Sequence, residues 1–468
     1  MSRGRNKIDI DWRNFGAGMS TTNESVDGGF SPDSNRVEIQ QTPGTLKCLP
    51  APTDASTNLT ERIIASCVDP KYSGQNRMVL DLGGSFYWLN GTTLTKKVTA
   101  SSETYASGKT DFIAFNGSYY ATTVGGDISE WDGATGLVED WWTNASHLNK
   151  TGLDPQTAWR PLLVFEKHLW VGDRTRLHRI ANDDTVSYGQ IVLDTFESIT
   201  ALGTDPQTGY MLIGVTTGVN ANNSAKGIDK ILIYDGFSDK PLRSILVGGL
   251  VTAFHAVDGQ VYVFYGNKVG LWNGAGISYL KTFDFANSSS SLAYPHHITS
   301  IDNTLYVADG REVLSYGEVY PGQKVWSKPT RNTASTEELT CLTAYKSVNL
   351  ALSYYNSQLF VLDMTDTDNG TGGKFLSNVY TFEDDIYLRE VDIEYDSNVA
   401  SDESFIGTVN FYLDGQVKTY TSLSNDVSQL QVLTLNLEDE RCRRFQLEYN
   451  FTDPTAIRRF TIYYDRAE

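Results

Sequence analysis

The sequence predicts an all-β protein whose main part is a β-propeller of about seven four-stranded blades, flanked by an extended N-terminal arm and a small C-terminal β-sandwich or barrel module. Three observations support this prediction. The 468 residues include 26 Tyr, 20 Phe, 9 Trp and 40 Gly, a composition that favours strands joined by turns. Short runs of alternating apolar residues recur at a spacing of about 40 to 50 residues. Most of these runs end at a turn that contains glycine.

The second apolar run of each repeat is the most regular feature of the chain. Its clearest copy is QVYVFY, which begins at Gln260. The related copies are MVLDLGG at Met78, SYYATT at Ser118, HLWVGD at His168, YMLIGV at Tyr210, TLYVAD at Thr304 and NLALSY at Asn349. Repetition of one supersecondary unit at this period is typical of propellers and solenoids.

The third run of most repeats ends in an aromatic residue and a turn. The regular copies are FYWLNG at Phe86, ISEWDG at Ile128, ILIYDG at Ile231, VGLWNG at Val269 and VLSYG at Val313. Two copies, LHRIAND at Leu177 and LFVLDM at Leu359, are degenerate. Asn-Gly and Asp-Gly readily adopt positive φ, so the pattern predicts a tight hairpin turn here, with the aromatic side chain on the buried face.

A first and a fourth run complete each repeat. An alternating segment such as RIIASCV or LTCLTAY precedes the second run, and a less apolar one such as LVEDWW, SYLKTF or KVWSKP follows the third. The repeat is therefore a four-stranded meander, whose first strand lines the channel and whose fourth is the outer edge. In the widest repeat, residues 198–249, we interpret the polar segment TTGVNANNSAKGIDK as a long loop between the second and third strands.

Three regions follow from this pattern. Residues 1–60 are polar, and we expect an extended arm that orders against a partner or across the propeller. Residues 61–384 form the propeller, and its last outer strand comes either from the local chain or from the arm. Residues 385–468 contain YLREVDIEY, GTVNFYLDG, QVLTLNLE, RFQLEYNF and IRRFTIYY, which predict a separate sandwich or barrel.

The charge balance limits the possible partners. With 38 basic and 57 acidic residues, the net charge of -19 argues against a surface that binds nucleic acid by neutralising phosphates, although DNA could still slide past such a surface. The basic N-terminus is not followed by an apolar segment, and no apolar run is long enough to cross a membrane, so we expect no stable membrane insertion. The four cysteines are far apart and are expected to be buried thiols in a reducing compartment.

Few residues are candidates for a metal site. His296 and His297 are the one adjacent histidine pair, but alternation along a strand would place their side chains on opposite faces. The loop DMTDTDNGTGG places Asp366, Asp368 and Gly370 at part of the spacing of a calcium loop, without the closing glutamate. We expect a solvated loop there, with a weak cation site as the alternative.

The sequence contains no convincing catalytic motif. The sialidase-type repeat S-x-D-x-G-x-x-W is not found in any blade, and nucleophile-elbow and phosphate-loop motifs do not occur in a suitable context. We therefore expect no catalytic, cofactor-binding or metal-binding residues, and no enzyme activity.

Basic residues are concentrated at the two ends of the chain. Arg3, Arg5 and Lys7 lie in the arm, and the last module contains Arg441, Arg443, Arg444, Arg458 and Arg459. On strands the second group predicts a solvated face. The alternative is that these cations dock on the acidic propellers of neighbouring subunits.

The order of these parts resembles a known class of proteins. An arm with GGFSPDSN and PGTLKCLP, blades with WDG and WNG turns, and a closing module with FYLDGQV and IRRFTIYY resemble the propeller-bearing tail proteins of double-stranded DNA phages. Tail hub or nozzle proteins of short-tailed phages are the most similar in size and order of parts. The resemblance implies a structural virion protein without catalytic residues.

The same resemblance also implies an assembly. Subunits would form a homo-oligomeric ring, commonly a hexamer, below the portal and its adaptor, extending the DNA channel and retaining the genome until infection. Other tail or fibre proteins would be partners. The protein would assemble in the host cytoplasm and reside in the virion tail.

Two other functions remain open. A tail propeller for host-receptor or glycan binding or degradation would need a concave pocket with convergent aromatic and acidic groups. A non-virion scaffold propeller of the WD type should show Gly-His and Trp-Asp pairs in most repeats, whereas here Trp-Asp occurs in EWDG and does not recur at that strictness.

Overall fold

A computed structural model gives the fold of the chain. The residues it describes are 6–11, 37–38, 40, 45–57, 59–68, 77–106, 110–134, 136–143, 153, 160–217, 227–283, 294–320, 322–331, 337–346, 348–364, 372–397, 405–424, 432–452 and 455–467. Within these ranges the regular structure is almost entirely β-strand, without any α-helix. No helix in the described ranges is long and apolar enough to cross a membrane.

Four short strands come from the predicted arm. They are β1 (Asn6–Ile10), β2 (Val37–Glu38), β3 (Leu46–Cys48) and β4 (Thr53–Asp54). The first three join a sheet near the C-terminus, and β4 joins the propeller.

Seven four-stranded antiparallel sheets form the propeller, which confirms the predicted fold class and the count of seven blades. The inner strand of each blade contacts the inner strand of the next one, all the way round the ring. Each predicted run corresponds to one strand, because alternating apolar residues bury one face of a strand against the neighbouring blade.

The strand bounds of the first three blades are as follows. Blade 1 contains β5 (Ile63–Val68), β6 (Arg77–Asp81), β7 (Ser85–Asn90) and β8 (Thr93–Thr99); blade 2 contains β9 (Phe112–Phe115), β10 (Ser118–Thr122), β11 (Ile128–Trp131) and β12 (Val138–Trp142); blade 3 contains β13 (Leu162–Phe165), β14 (His168–Asp173), β15 (Arg176–Ile180) and β16 (Val186–Val192).

The next three blades follow the same plan. Blade 4 contains β17 (Glu197–Asp205), β18 (Tyr210–Thr217), β19 (Asp229–Tyr234) and β20 (Arg243–Val247); blade 5 contains β21 (Val251–Val257), β22 (Gln260–Tyr265), β23 (Lys268–Trp272) and β24 (Ile277–Thr282); blade 6 contains β25 (Ile298–Ile301), β26 (Thr304–Asp309), β27 (Glu312–Tyr320) and β28 (Gln323–Arg331). The predicted polar excursion of blade 4 lies between β18 and β19, and most of it is outside the described residues.

Blade 7 takes its outer strand from the arm. Its own strands are β29 (Leu339–Tyr345), β30 (Asn349–Tyr354) and β31 (Leu359–Asp363), and β4 pairs antiparallel with β31, with Asp54 opposite Phe360. The N–H of Ala55 donates to the carbonyl of Leu359 at 2.8 Å, and the Leu359 N–H donates to Ser56 Oγ at 2.9 Å. The ring therefore closes by pairing two segments from distant parts of the sequence.

The turns between the third and fourth strands differ from the prediction. Asn90-Gly91 does form a tight turn, with Gly91 at φ 62°. At Asp132, Asp235 and Asn273 the loops are longer, and the side-chain oxygen accepts the backbone N–H two residues later, at 2.9 to 3.0 Å. The Asp and Asn side chains therefore stabilise wider Asx-type loops instead of the predicted tight hairpin turns. Both loop types are common for these two residues.

Tight turns of positive φ instead join the first and second strands of several blades. The central pairs are Asn116-Gly117, Glu166-Lys167 and Asp258-Gly259, all with φ between 47° and 86°. This backbone matches the twist of a two-residue hairpin. In these blades the two-residue turn of positive φ is therefore found in the innermost hairpin.

Apolar clusters fill the interfaces between neighbouring blades. Between blades 1 and 2, the ring centroids of Phe86 and Phe112 are 5.3 Å apart, and those of Phe86 and Trp131 are 6.1 Å apart. Between blades 4 and 5, Gly203 in β17 lies against Phe254 in β21, where a Cβ at position 203 would be 2.3 Å from the Phe254 Cβ. All four cysteines are buried thiols, as predicted.

A second sheet of nine antiparallel strands contains both ends of the chain. It combines β1, β2 and β3 with β32 (Lys374–Leu376), β33 (Tyr380–Ser397), β34 (Phe405–Leu413), β35 (Gln416–Ser424), β36 (Val432–Phe451) and β37 (Thr455–Arg466). Because these strands form one continuous hydrogen-bonded sheet, a sandwich is not confirmed. The Asp414-Gly415 hairpin within FYLDGQV is present, with positive φ at both residues.

Two of the five segments predicted here are one strand. The described part of QVLTLNLE, from Val432 onward, and the whole of RFQLEYNF lie within the 20-residue β36, and the alternation breaks between them because Glu438 and Asp439 adopt positive φ. The register with β33 shifts at the facing residues Leu388 and Glu390. A local irregularity of this kind resembles the end of a strand when only the sequence is read.

By packing, the chain divides into two units that are both discontinuous in sequence. One contains Met1–Pro52, Glu312–Ala334 and Leu362–Glu468, and the other contains Thr53–Arg311 and Ser335–Val361. The core of the first unit includes Ile10, Val37, Leu46 and Cys48 from the arm. The described part of the arm is therefore an integral part of the folded chain.

Candidate functional site at the propeller axis

A short 3-10 turn, Pro295–His297, lies at the axis of the propeller. It leads directly into β25 and contacts β5, β21 and β29, the inner strands of blades 1, 5 and 7. Inner strands line the propeller axis, so a segment that contacts three of them lies close to this axis. The expectation that His296 and His297 alternate along a strand is wrong, because Pro295 is compatible with the start of a helical turn.

The two histidines of this turn have different surroundings. His296 is buried, and its Nδ1 accepts the N–H of Ser66 at 3.3 Å. Its Nε2 lies 3.5 Å from Asp111 Oδ1, too far and too poorly aligned to form a hydrogen bond. Burial, and then the neighbouring His296, lower the pKa of His297 to about 4. His297 is therefore neutral near pH 7.

A third histidine lies on the inner strand of blade 5. His255 Nε2 is 3.2 Å from Ser300 Oγ in blade 6. Burial, and then the charge of Arg77, lower the pKa of His255 to about 4, although solvent still reaches part of this side chain. Such a group is enclosed by protein atoms and yet open on one side, as expected for a residue that lines the axis.

Arg77 brings a positive charge to the same region. It begins β6 opposite Val68, and its Nε donates to the carbonyl of Ala344 in blade 7. Burial lowers the pKa of Arg77, and the thiols of Cys67 and Cys341 lie close enough to influence it. Burial raises the pKa of Cys341 to about 12, so this thiol is not an activated nucleophile.

We call Arg77, His255, His296, His297, Ser300 and Cys341 the axial cluster. They come from blades 1, 5, 6 and 7. Sequence reasoning missed their convergence because the residues from different blades lie far apart along the chain. The cluster offers one cation, the neutral imidazoles of His255 and His297, a hydroxyl and a protonated thiol. This set is suited to binding a polar group, and the expected absence of enzyme activity stays a prediction.

A group of carboxylates in blade 2 is the one set of described side chains close enough together to hold a metal ion. Oxygens of Glu103, Asp127 and Asp140 lie within 4.8 Å of one another. Burial, and then the two aspartates, raise the pKa of Glu103 to about 7, so a shared proton accounts for their proximity. The sequence did not predict this group, because its members lie in a loop, a turn and strand β12.

A buried ion pair and histidine stabilise blade 3. Asp173 lies 3.2 Å from Arg160 Nη2 and 3.1 Å from His178 Nε2, and all three side chains are inaccessible to solvent. The N–H of Gly189 donates to His178 Nδ1 at 3.0 Å. Both imidazole nitrogens are engaged, so this Asp-His pair has no free ring nitrogen for general acid or base catalysis.

The predicted basic groups are mostly paired within the chain. Lys7 lies 3.0 Å from Asp9, Arg441 and Arg443 both bind Asp385, and Arg459 binds Glu394 at 2.6 Å. These side chains remain largely exposed, as a solvated face requires. Arg3, Arg5 and the calcium-like loop with Asp366, Asp368 and Gly370 lie outside the described residues.

Comparisons with known proteins give no family. No family model matches the chain. The curated proteins also contain no match.

Several solved structures are similar at low identity. Raptor of Chaetomium thermophilum has a TM-score of 0.45 and 10% identity, and the match covers 71% of this chain and 30% of Raptor. The β-propeller domain of Cps50 (Swd1) from Myceliophteria thermophila has a TM-score of 0.45 and 12% identity, covering 65% of this chain and 98% of that domain. The computationally designed protein Ika8 has a TM-score of 0.40 and 13% identity, covering 65% and 96%. These likenesses carry no argument about function.

Proposed function

We propose that this protein is a structural subunit of a phage tail, a hub or nozzle protein whose copies form a ring that extends the DNA channel below the portal and adaptor. The observation that carries the assembly part of this proposal is the unprotected outer edge of blade 4. The assignment to a tail rests on the resemblance in the order and motifs of the parts. The following steps argue the assembly from the described residues.

Outer strands of propeller blades normally carry features that prevent edge-to-edge pairing. Lysines, prolines and bulges are the usual ones. In five blades the outer strand has a register shift against its neighbour, and three of these strands also carry lysines. The strand β20, with the sequence RSILV, pairs with β19 in continuous register and contains neither lysine nor proline.

Apolar side chains are exposed next to this edge. Leu246 in β20 is 73% exposed, and Phe237 and Leu242 in the preceding loop are 76% and 50% exposed. Exposed apolar groups beside an open strand edge are typical of a surface that another chain covers. In a ring of identical subunits, the covering chain is the next copy of this protein.

The channel of the proposed ring would be the lumen between its subunits. DNA would pass through this lumen rather than through a propeller, because the inner strands of the seven blades contact one another around the propeller axis. A net charge of -19 per subunit would keep that lumen from retaining a polyanion.

The assembly is tested by changing the edge of blade 4. We expect purified protein to form rings in negative-stain electron microscopy and native mass spectrometry. Leu246→Lys should yield folded monomers, because a lysine on an open edge opposes strand addition. Val192→Lys, at a residue 65% exposed in blade 3, is the matched control and should leave rings intact. Rings that persist in Leu246→Lys, or a wild-type protein that stays monomeric, would contradict the assembly proposal.

The tail assignment is tested separately in particles from the source lysate. An antibody against residues 385–468 should label the tail axis below the capsid vertex. Label on peripheral fibres would favour receptor or glycan binding instead. Particles without label would remove the virion proposal and favour a non-virion scaffold.

A further inference from the structure

The axial cluster contains a cation without a described anionic partner. Arg77 donates through Nε to the Ala344 carbonyl, and no carboxylate among the described residues lies within ion-pair distance of its guanidinium. Arg160 in blade 3 shows the ordinary arrangement, since its enclosed guanidinium pairs with Asp173 at 3.2 Å. The Arg77 side chain is half-buried and, as an arginine, keeps its charge. The charge of Arg77 is therefore available to an anion from outside the described chain.

The groups around Arg77 are neutral and polar. Cys341 is a protonated thiol, and His255 is a neutral imidazole that shares a hydrogen bond with Ser300. Asp111, the carboxylate beside His296, accepts the N–H groups of Phe112 and Leu162 at 2.9 and 2.8 Å through its two oxygens. An incoming anion would thus meet hydrogen-bond donors and a cation at this end of the axis.

The topology places these groups at one end of the axis. Arg77 is opposite Val68, the last residue of β5, and Ala344 and His255 lie near the C-terminal ends of β29 and β21. Inner strands of a propeller run in the same direction, so these ends meet on one face. The Nη1 and Nη2 groups of Arg77 have no described protein acceptor, and this pair of nitrogens matches the two oxygens of a carboxylate or phosphate.

We infer that Arg77, His255 and Ser300 form a subsite for an oxyanion, the phosphate or carboxylate group of a small ligand, at one end of the propeller axis. Arg77 supplies the charge and a bidentate pair of donors. Ser300 and neutral His255 supply further hydrogen bonds. This inference is independent of the proposed ring, because all of these residues lie within a single propeller.

The test measures binding of two simple anions to the full-length protein. Thermal unfolding is followed with increasing inorganic phosphate, and separately with sodium acetate, against sodium chloride of equal ionic strength. We expect at least one of the two anions to raise the unfolding temperature saturably, by about 2 °C near saturation. Protection by phosphate alone, by acetate alone or by both identifies the class of group that the site accepts.

Two substitutions separate specific binding from a general effect of salt. Arg77→Gln should weaken the apparent affinity by about tenfold or more, because it removes the charge and the bidentate donors. Arg62→Gln is the matched control. Arg62 lies just before β5, about 20 Å along this strand from the site, and also joins blades 1 and 7, through its guanidinium 3.8 Å from the Tyr355 ring. It should bind as the wild type does.

A third substitution keeps the test informative if Arg77→Gln does not fold. Ser300→Ala removes a single hydroxyl and should weaken binding about threefold to tenfold. The inference is overturned if neither anion protects the wild type, or if folded Arg77→Gln or Ser300→Ala binds as tightly as the wild type.

Discussion

The propeller and the nine-stranded sheet are both antiparallel, yet the chain builds them in opposite ways. Each of blades 1 to 6 uses four consecutive strands, so every pairing in it is local. The nine-stranded sheet combines β1, β2 and β3 with strands that begin after residue 373. Blade 7 lies between these cases, because three of its strands are local and the fourth is β4. The arm therefore has two structural roles: β1, β2 and β3 complete the nine-stranded sheet, and β4 completes blade 7.

Truncating the arm should have the largest effect and should separate those two roles. Removing residues 1–52 deletes β1, β2 and β3 together with Ile10, Val37, Leu46 and Cys48 from the core of the nine-stranded sheet. Burying one such side chain contributes about 1.5 to 3 kcal/mol, so losing four is comparable to the stability of a whole domain. Hydrogen exchange should show loss of protection in β33, β36 and β37, with blade 7 still protected.

Removing residues 1–60 should add a second defect. This truncation also deletes β4, so protection should fall in β29, β30 and β31 as well. The shorter truncation is its matched control. Full protection of the nine-stranded sheet in either variant would show that the arm is not needed there.

Removing the buried acid of blade 3 should affect the propeller alone. Asp173→Ala leaves Arg160 without its buried partner, a change that typically costs about 3 to 5 kcal/mol. Urea unfolding followed by Trp fluorescence should show this loss. The control is Asp385→Ala in the nine-stranded sheet, where the exposed Arg441 and Arg443 pair with Asp385 and little change is expected. Equal effects of the two substitutions would contradict the assignment.

Two glycines allow close packing, one in each unit. Gly203→Ala would bring a Cβ to 2.3 Å from Phe254 Cβ, and Gly407→Ala would bring one to 2.8 Å from the Asn450 carbonyl and 2.4 Å from Tyr449 Oη. Overpacking of this kind costs about 1 to 3 kcal/mol. Hydrogen exchange should show the first variant loosening blades 4 and 5 and the second loosening β34 and β36.

Gly248→Ala controls for the substitution itself. Position 248 follows β20 in blade 4, and no atom lies within 4 Å of a Cβ placed there. Its unfolding midpoint should match that of the wild type. If Gly203→Ala behaved in the same way, the close approach of blades 4 and 5 would be wrong.

The smallest expected effect is a pH dependence in blade 2. The pKa of Glu103 is about 7 in the folded protein, above its ordinary value of 4.5, so the folded state binds the proton more tightly. The stabilising contribution of Glu103 to the free energy of unfolding is present below about pH 4.5 and is lost as pH rises to about 7. Glu103→Gln should therefore flatten this decline, so that the variant gains stability relative to the wild type between these pH values, measured by urea midpoints.

Glu139→Gln provides a control of opposite sign. Although burial opposes it, hydrogen bonds from Ser101 and Ser102 lower the pKa of Glu139 to about 2. The stabilising contribution of Glu139 to the free energy of unfolding is present above about pH 4.5 and is lost as pH falls toward 2. This variant should be less stable than the wild type at neutral pH. A parallel response of the two variants would refute the assignment.

The propeller could be predicted from the sequence because each blade is a local repeat. QVYVFY and its relatives all became second strands, and the count of seven blades followed from them. The pairing of β4 with β31 could not be predicted, since a two-residue strand has no alternation to detect. For the same reason β2 and β3 were not distinguished from the rest of the arm.

The axial cluster was hidden from sequence analysis for a different reason. The pair His296-His297 was visible, but its prolyl turn was interpreted as part of a strand. Arg77 belongs to the cluster because blade 1 brings it within hydrogen-bond distance of Ala344 in β29. Ser300 belongs to it because blade 6 brings it within hydrogen-bond distance of His255 in blade 5. Such relations arise from closure of the ring. They leave no local pattern in the chain.

The pairing of β4 with β31 also sets the order of events during synthesis. At about 5 to 20 residues per second, the ribosome makes the partner of Asp54 roughly 15 to 60 s after Asp54 itself. Blades 1 to 6 can form in that time, whereas the last blade must wait for a contact that closes a loop of most of the chain. Until then, β31 presents an open edge that the N-terminal strand of another nascent chain can also fill. We therefore expect strand-swapped dimers to be more frequent at high expression levels, and correctly closed subunits to be more frequent when synthesis is slower.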